Sequence, residues 1–286
     1  MTRVPDGCAW LRVMGTSDVH AHLRGFDYVR NVEAKEWGLT RLSTCVTRAR
    51  SEAPVSVLLD NGDILQGTPL AQVYSDPSHD SLHPVLEAME AMGYDAFGLG
   101  NHEFNYGIDR LDQILSKTRL PVLCANVLSR KGAVVAEDKG LYPATLMLDR
   151  TVADPETGAE VNLRIGVLSV LPTQIMKWDG AHLKDRVETR DMVQSAARHA
   201  AQLRADGADV VILLAHTGID PNGLGSDAEN AALALAQIPS VDAMITGHTH
   251  QLFPSAAIRG QGIDVAAGTV FGTPTVMPGY RGAYLG

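Results

Sequence analysis

Apolar positions come in short runs, and most runs end in a polar cluster: LRVMGTSDVH, VSVLLDNGD, DAFGLGNHE, PVLCANV, LRIGVLSVLP, DVVILLAH and VDAMITGHTH. Runs of this length, rich in Val, Leu and Ile and bounded by Gly, Asn and Asp, predict buried strands. Between several of them the period changes. In residues 191–206, Met192, Val193, Ala196, Ala197, Ala200 and Leu203 fall on one face at helical spacing. Gly207 stops that helix before the next strand, and Gly93 does the same after HPVLEAMEAM. Residues 129–162 are different: charged residues and a turn-like ADPETG separate two apolar runs, which predicts a hairpin. Elsewhere strand and helix alternate, which predicts an α/β architecture. No internal repeat or low-complexity linker is present.

The polar clusters follow the C-terminal ends of the predicted strands, where open α/β sheets place their ligand crevices. Five separated segments are therefore candidates to converge on one site. Composition narrows what that site binds. The 286 residues suffice for one large domain or two small ones, and the net charge of -9 is mixed along the chain, with no basic stripe. Long nucleic acid is excluded as a partner on that ground. A small nucleotide is not, because metal ions can supply the positive charge that the surface lacks. Cys8, Cys45 and Cys124 show neither zinc-ribbon spacing nor an even disulfide count. No apolar stretch approaches the roughly 20 residues needed to span a bilayer, and MTRVPDGCAWLRV lacks a long apolar signal segment, so no membrane partner is expected.

The chemistry lies in the clusters. Asp18 and His20, two apart after a strand, can point to one side of the chain and share an ion. Asp63 in DNGDILQG sits where two glycines permit a tight turn that faces the crevice. Asn101 and His102 in GLGNHEFNYG offer an oxygen donor for a metal beside an imidazole for a substrate. His216 ends an apolar strand, and His248 and His250 in TGHTHQ repeat the two-residue spacing. Alone, each has a bland explanation: a solvated strand end, an Asn-Gly turn, a core histidine bonded to backbone. Jointly, two carboxylates, one amide oxygen and four histidines, each delivered by a strand end, argue for a metal centre. Mixed imidazole and carboxylate donors suit Zn, Mn or Fe better than Mg or Ca. Seven ligands exceed the three or four protein ligands of one zinc ion and suit two divalent ions sharing a carboxylate.

In their order, Asp-x-His, Gly-Asp, Gly-Asn-His-Glu, a lone His and Gly-His-x-His, the blocks resemble those of the calcineurin-like metallophosphoesterases, over residues 11 to 286. The resemblance implies a four-layer α/β/β/α sandwich with two mixed sheets. It implies one ion on Asp18, His20, Asp63 and His250, another on Asp63, Asn101, His216 and His248, and catalysis by His102. DNGDILQGTPL, GNHEFNYGIDRL, LPTQIMKWDGAHL and TVMPGYRGAYLG look most like the 2',3'-cyclic-nucleotide 2'-phosphodiesterase/3'-nucleotidase branch of the bacterial 5'-nucleotidase group. The 5'-nucleotidase branch carries Asp where this chain has Asn105, which can orient His102 without stabilising its charge. Hence the expected substrate is a small nucleotide, with a 5'-nucleotidase or nucleotide-sugar hydrolase, or a noncatalytic metal-binding module, as alternatives. Residues 1–286 are expected to form the catalytic domain, with the family's C-terminal nucleotide-binding domain outside them. The resemblance implies a periplasmic location; the missing signal leaves a cytoplasmic one open. His22 is a second candidate for the substrate phosphate, and His79, His83, His182 and His199 read as surface or helix residues.

Overall fold

A strand that is apolar on both faces has to be covered twice, and the layering follows from that need. The computed structural model describes residues 10–286 except 54, 154–157, 159, 222–224 and 226. Cys8 and most of the ADPETG turn lie outside the described residues. Strands β1 (Leu11–Thr16), β2 (Val55–Asp60), β3 (Ala96–Gly98) and β4 (Val122–Leu123) form one sheet in that order, parallel throughout. The larger sheet is mixed. From one edge inward it runs β5 (Thr145–Ala153), β6 (Glu160–Val170), β7 (Val210–Ala215), β8 (Ala243–Thr246) and β9 (Thr273–Pro278). β5 and β6 pair antiparallel, as the hairpin reading of 129–162 requires, and β6 to β9 run parallel.

Alternation along β7 shows the two coverings. Ile212 and Leu214 join Val57, Leu59, Ala96, Leu123 and Ile245 in a core between the two sheets. Val211, Leu213 and Ala215 join Met192, Ala196, Ala200 and Leu203 of the helix labelled α4 (Met192–Ala205). On the far side of the parallel sheet, Leu58 and Phe97 are buried against α1 (Leu39–Ser51), α2 (Pro84–Met92) and α3 (Ile108–Leu115). The result is helices, sheet, sheet, helices.

The punctuation residues act as their chemistry suggests. Asp191 caps α4 by accepting from the Gln194 amide at 2.9 Å. α2 opens with Pro84 and closes on Gly93 at φ 70, the left-handed position for which glycine has no steric cost. His83 is neither a surface nor a helix-interior residue: it is buried and caps α2, its Nδ1 accepting from the Val85 amide at 3.3 Å. Cys45 and Cys124 are free thiols. No helix among the described residues is long and apolar enough to cross a membrane.

Ile212 lies at the centre of the inter-sheet core with no exposure. Its truncation, Ile212→Ala, should lower the unfolding free energy by about 2–5 kcal/mol in a denaturant titration, and a change below about 1 kcal/mol would contradict this layering.

Candidate metal centre

The loops that leave β1, β2, β3, β7 and β8 meet where the two sheets adjoin, and backbone contacts hold them together. The Asp18 amide donates to the Gly62 carbonyl at 2.9 Å and the His20 amide to the Asp63 carbonyl at 2.8 Å. Gly62, at φ 94, lies so close to the backbone of Leu99 and Gly100 that a Cβ would overlap it. A Cβ at Gly100 would likewise fall on Asp63 Oδ1. One carboxylate ties two of these loops: the buried Glu103 accepts from the amides of Asp63 and Gly100 at 2.7 Å each, of Ile64 at 2.7 Å and of Leu65 at 3.0 Å. Burial, then the charge of Asp63, raises the pKa of Glu103; the amides of Gly100, Leu65 and Asp63 oppose that shift.

The expected convergence is present, but not by strand alternation. β1 ends at Thr16 and β8 at Thr246, ahead of Asp18, His20, His248 and His250. Those four residues and Asp63 adopt φ of 53, 49, 69, 59 and 58, so left-handed backbone turns aim the side chains inward. Such conformations cost of order 1–3 kcal/mol each where the surroundings do not compensate, and they cluster at functional sites.

Two groups of donor atoms result. In the first, His20 Nε2 lies 3.0 Å from His250 Nε2, and His250 Nε2 lies 3.4 Å from Asp18 Oδ1. In the second, His216 Nε2 lies 3.1 Å from Asp63 Oδ2 and 3.2 Å from Asn101 Oδ1, and His248 Nδ1 lies 2.9 Å from the same amide oxygen. Asp63 Oδ2 is also 3.9 Å from His20 Nε2, which places it between the groups. The outward ring nitrogens are engaged. His20 Nδ1 meets the Gln66 carbonyl at 3.0 Å, His216 Nδ1 the Asn61 carbonyl at 2.7 Å, and His248 Nε2 the Glu229 carboxylate at 2.9 Å. Those oxygens only accept, so these nitrogens donate, and the inward nitrogens carry lone pairs when the rings are neutral. Lone pairs facing lone pairs at 3.0–3.2 Å repel unless positive charge lies among them. Outward nitrogens tied to carbonyls and carboxylates are also how metal-ligating histidines are held. The seven predicted donors are thus assembled in a manner that could hold cations.

The electrostatics agree. Burial acts to raise Asp18 and Asp63, yet the surrounding imidazoles, His250 and His216 for Asp18 and His216 and His20 for Asp63, hold both below the usual carboxylate range. Burial acts to lower His216, but Asp63 and Asp18 overcome it and push the ring up to about 10. His20 and His248 are lowered, first by burial.

His102 stands beside the centre. Its ring is 5.1 Å from that of His20, its amide donates to Asp63 Oδ1 at 2.7 Å, and its Nδ1 lies 2.7 Å from Asn105 Oδ1. His22 serves elsewhere: buried against Trp37, it donates from Nδ1 to the His20 carbonyl at 2.9 Å and steadies the loop. Sequence reading missed Glu229, Glu103, Asp179 behind Asn105 and two aromatic supports, Trp178 stacked on His248 and Tyr280 stacked on His250. Glu103 and Asp179 lay inside the quoted motifs without an assigned role; Glu229 lay in no motif.

Residues 11–252 match the family model described as calcineurin-like phosphoesterase. The chain is similar to the trifunctional nucleotide phosphoesterase protein YfkN of Bacillus subtilis, 38% identical over 96% of this chain and 19% of that protein. It is also similar to the 2',3'-cyclic-nucleotide 2'-phosphodiesterase/3'-nucleotidase of Salmonella typhimurium, 37% identical over 96% of this chain and 42% of that protein. It therefore spans less than half the length of these curated relatives. The crystal structure of YfkN from Bacillus subtilis superposes with a TM-score of 0.89 at 37% identity, covering 96% of this chain and 83% of that one.

The charge balance yields a pH test. The unfolded His216 titrates near 6.5 and the folded one, without metal, near 10. Its protonated ring therefore stabilises the fold fully below about pH 6.5, and that contribution is lost as the pH rises through about 10. Chelator-stripped protein should lose unfolding free energy between about pH 7 and 10, and His216→Gln should flatten that loss. An equal loss in the variant would contradict the assignment.

Proposed function

Because the chain belongs to the calcineurin-like phosphoesterase family, we propose that it is a two-metal phosphoester hydrolase of nucleotides, acting as a 2',3'-cyclic-nucleotide 2'-phosphodiesterase and 3'-nucleotidase. One observation carries the reading: seven electron-pair donors face each other across two adjoining groups, with the Asp63 carboxylate between them. The donor set fits two divalent ions of the zinc, manganese or iron kind. Asp18, His20, Asp63 and His250 would hold one, and Asp63, Asn101, His216 and His248 the other. Such a pair supplies Lewis acidity toward the phosphoryl oxygens and lowers the pKa of water to near neutrality.

The chain's own residues do the rest. Glu103, Gln66, Asn61 and Glu229 hold the donors in place, so little reorganisation is needed as charge develops on the phosphoryl group. His102 is fixed beside Asp63 by its backbone, with Nδ1 engaged by Asn105, which leaves Nε2 to meet the substrate. We assign to Nε2 the proton transfer to the departing ribose oxygen. The cyclic branch, rather than the 5'-nucleotidase branch, is supported by Asn105 and the PTQIMKWD stretch, and by 37% identity to the Salmonella enzyme of that name. Residues 1–286 are taken as one catalytic domain of a protein built like these relatives, with a periplasmic location.

Metal-reconstituted protein should release phosphate from 3'-AMP and open 2',3'-cyclic AMP in preference to 5'-AMP. His102→Ala should lower kcat by about 10²–10⁴-fold while retaining the bound metal, and a chelator should abolish turnover. Preference for 5'-AMP would move the protein to the 5'-nucleotidase branch; no turnover with two metals bound would leave a metal-binding module.

A further inference from the structure

An asparagine beside a histidine does not by itself define that histidine. Its amide can present either the oxygen or the NH₂, and the ring answers with either tautomer. Here a third residue decides. Asn105 Nδ2 donates to Asp179 Oδ1 at 3.0 Å while Asn105 Oδ1 faces His102 Nδ1 at 2.7 Å. A carboxylate only accepts, so Asp179 requires the NH₂, and the amide oxygen is left to face the ring. That oxygen in turn requires a proton on Nδ1.

Asp179 is firmly held. It is buried, and it sits where the short helices Ile175–Trp178 and Gly180–Leu183 join. Its amide donates to the Ile175 carbonyl at 2.9 Å, and its carbonyl accepts from the His182 and Leu183 amides at 2.8 and 3.0 Å. The backbone beneath the side chain is therefore held from both directions. The second carboxylate oxygen, Oδ2, is buried without a hydrogen-bond partner among the described residues. Asn105 is the side-chain hydrogen-bond partner of Asp179 among the described residues.

We infer that Asp179 is a positioning residue that, acting through Asn105, locks His102 in the Nδ1–H tautomer with Nε2 free toward the phosphoester. The inference rests on the proposed role of His102. A carboxylate thus still stands behind the histidine in this chain, one residue further away than in a direct His–Asp pair, and the intervening amide transmits orientation.

An exchange of the two groups tests this. In Asp179→Asn, two amides face each other, either orientation is allowed, and the tautomer is no longer fixed. In Asn105→Asp, two carboxylates oppose each other. In the double variant Asn105→Asp/Asp179→Asn, the new aspartate accepts from Nδ1 and from the new asparagine, so both hydrogen bonds are restored, the outer one with its direction reversed and the acceptor facing Nδ1 retained. Two readouts apply to the full chain loaded with zinc: kcat and KM for 2',3'-cyclic AMP, and the side-chain ¹⁵N shifts of His102, assigned by comparison with His102→Ala. We expect Asp179→Asn to lower kcat by about 10–100-fold with KM changed by less than about 3-fold, the range typical for outer partners of an active group. Its His102 ¹⁵N shifts should move from the Nδ1–H pattern to a mixture. The double variant should recover most of the lost kcat and the Nδ1–H pattern. Wild-type kcat and an unchanged tautomer in Asp179→Asn would overturn the inference, as would a double variant no better than either single one. If Asp179→Asn does not fold, Asp179→Ala decides by the same ¹⁵N shifts: a mixture of tautomers supports the inference and an unchanged Nδ1–H pattern overturns it. Absence of turnover in the wild type would defeat the proposed function, while the ¹⁵N pattern would still report on Asp179.

Discussion

Everything at the centre follows from crowding seven electron-pair donors into one space. His20 Nε2 and His250 Nε2 lie 3.0 Å apart, and His216 Nε2 lies 3.2 Å from an amide oxygen, with the outward nitrogens of His20 and His216 already committed to carbonyls. Such an assembly repels itself until positive charge enters it. Without metal, a proton on His216 supplies part of that charge, because Asp63 and Asp18 push its ring up to about 10 against complete burial. With metal, two cations would supply it.

The fold's task is to hold this repulsive arrangement. Two sheets packed face to face bring loops from five strands together, and the inter-sheet core around Ile212, Leu214, Val57 and Leu59 fixes their spacing. The loops then take conformations that side chains avoid: five of the seven donor residues have positive φ. Glu103 offsets part of that cost by accepting four amides, a bonding pattern that a glutamine could not reproduce because its NH₂ would face two N–H donors. Rigidity in the loops and strain at the donors are the same feature seen from two sides.

Much of this was legible from the chain. Apolar runs marked the strands, Gly93 and Gly207 marked helix ends, and the five polar blocks named the donors that the structure brings together. The means of convergence were not legible, since an Asp-x-His spacing reads as strand alternation until the positive φ of Asp18 and His20 is seen. Nor were the partners that hold the rings. Gln66 and Asn61 act through backbone carbonyls, which carry no residue signature, and Glu229 comes from a segment with no motif. His22 and His83 show the converse: a histidine near a motif, or near a helix start, took a local structural role that only burial and hydrogen bonding reveal.

The central claim is that these donors form two cation sites sharing Asp63. Anomalous diffraction from crystals grown with zinc or manganese tests it most directly. Two peaks about 3.5–4 Å apart are expected, one among Asp18, His20, Asp63 and His250 and the other among Asp63, Asn101, His216 and His248. A single peak at saturating metal, or two peaks with Asp63 bound to only one of them, would contradict it.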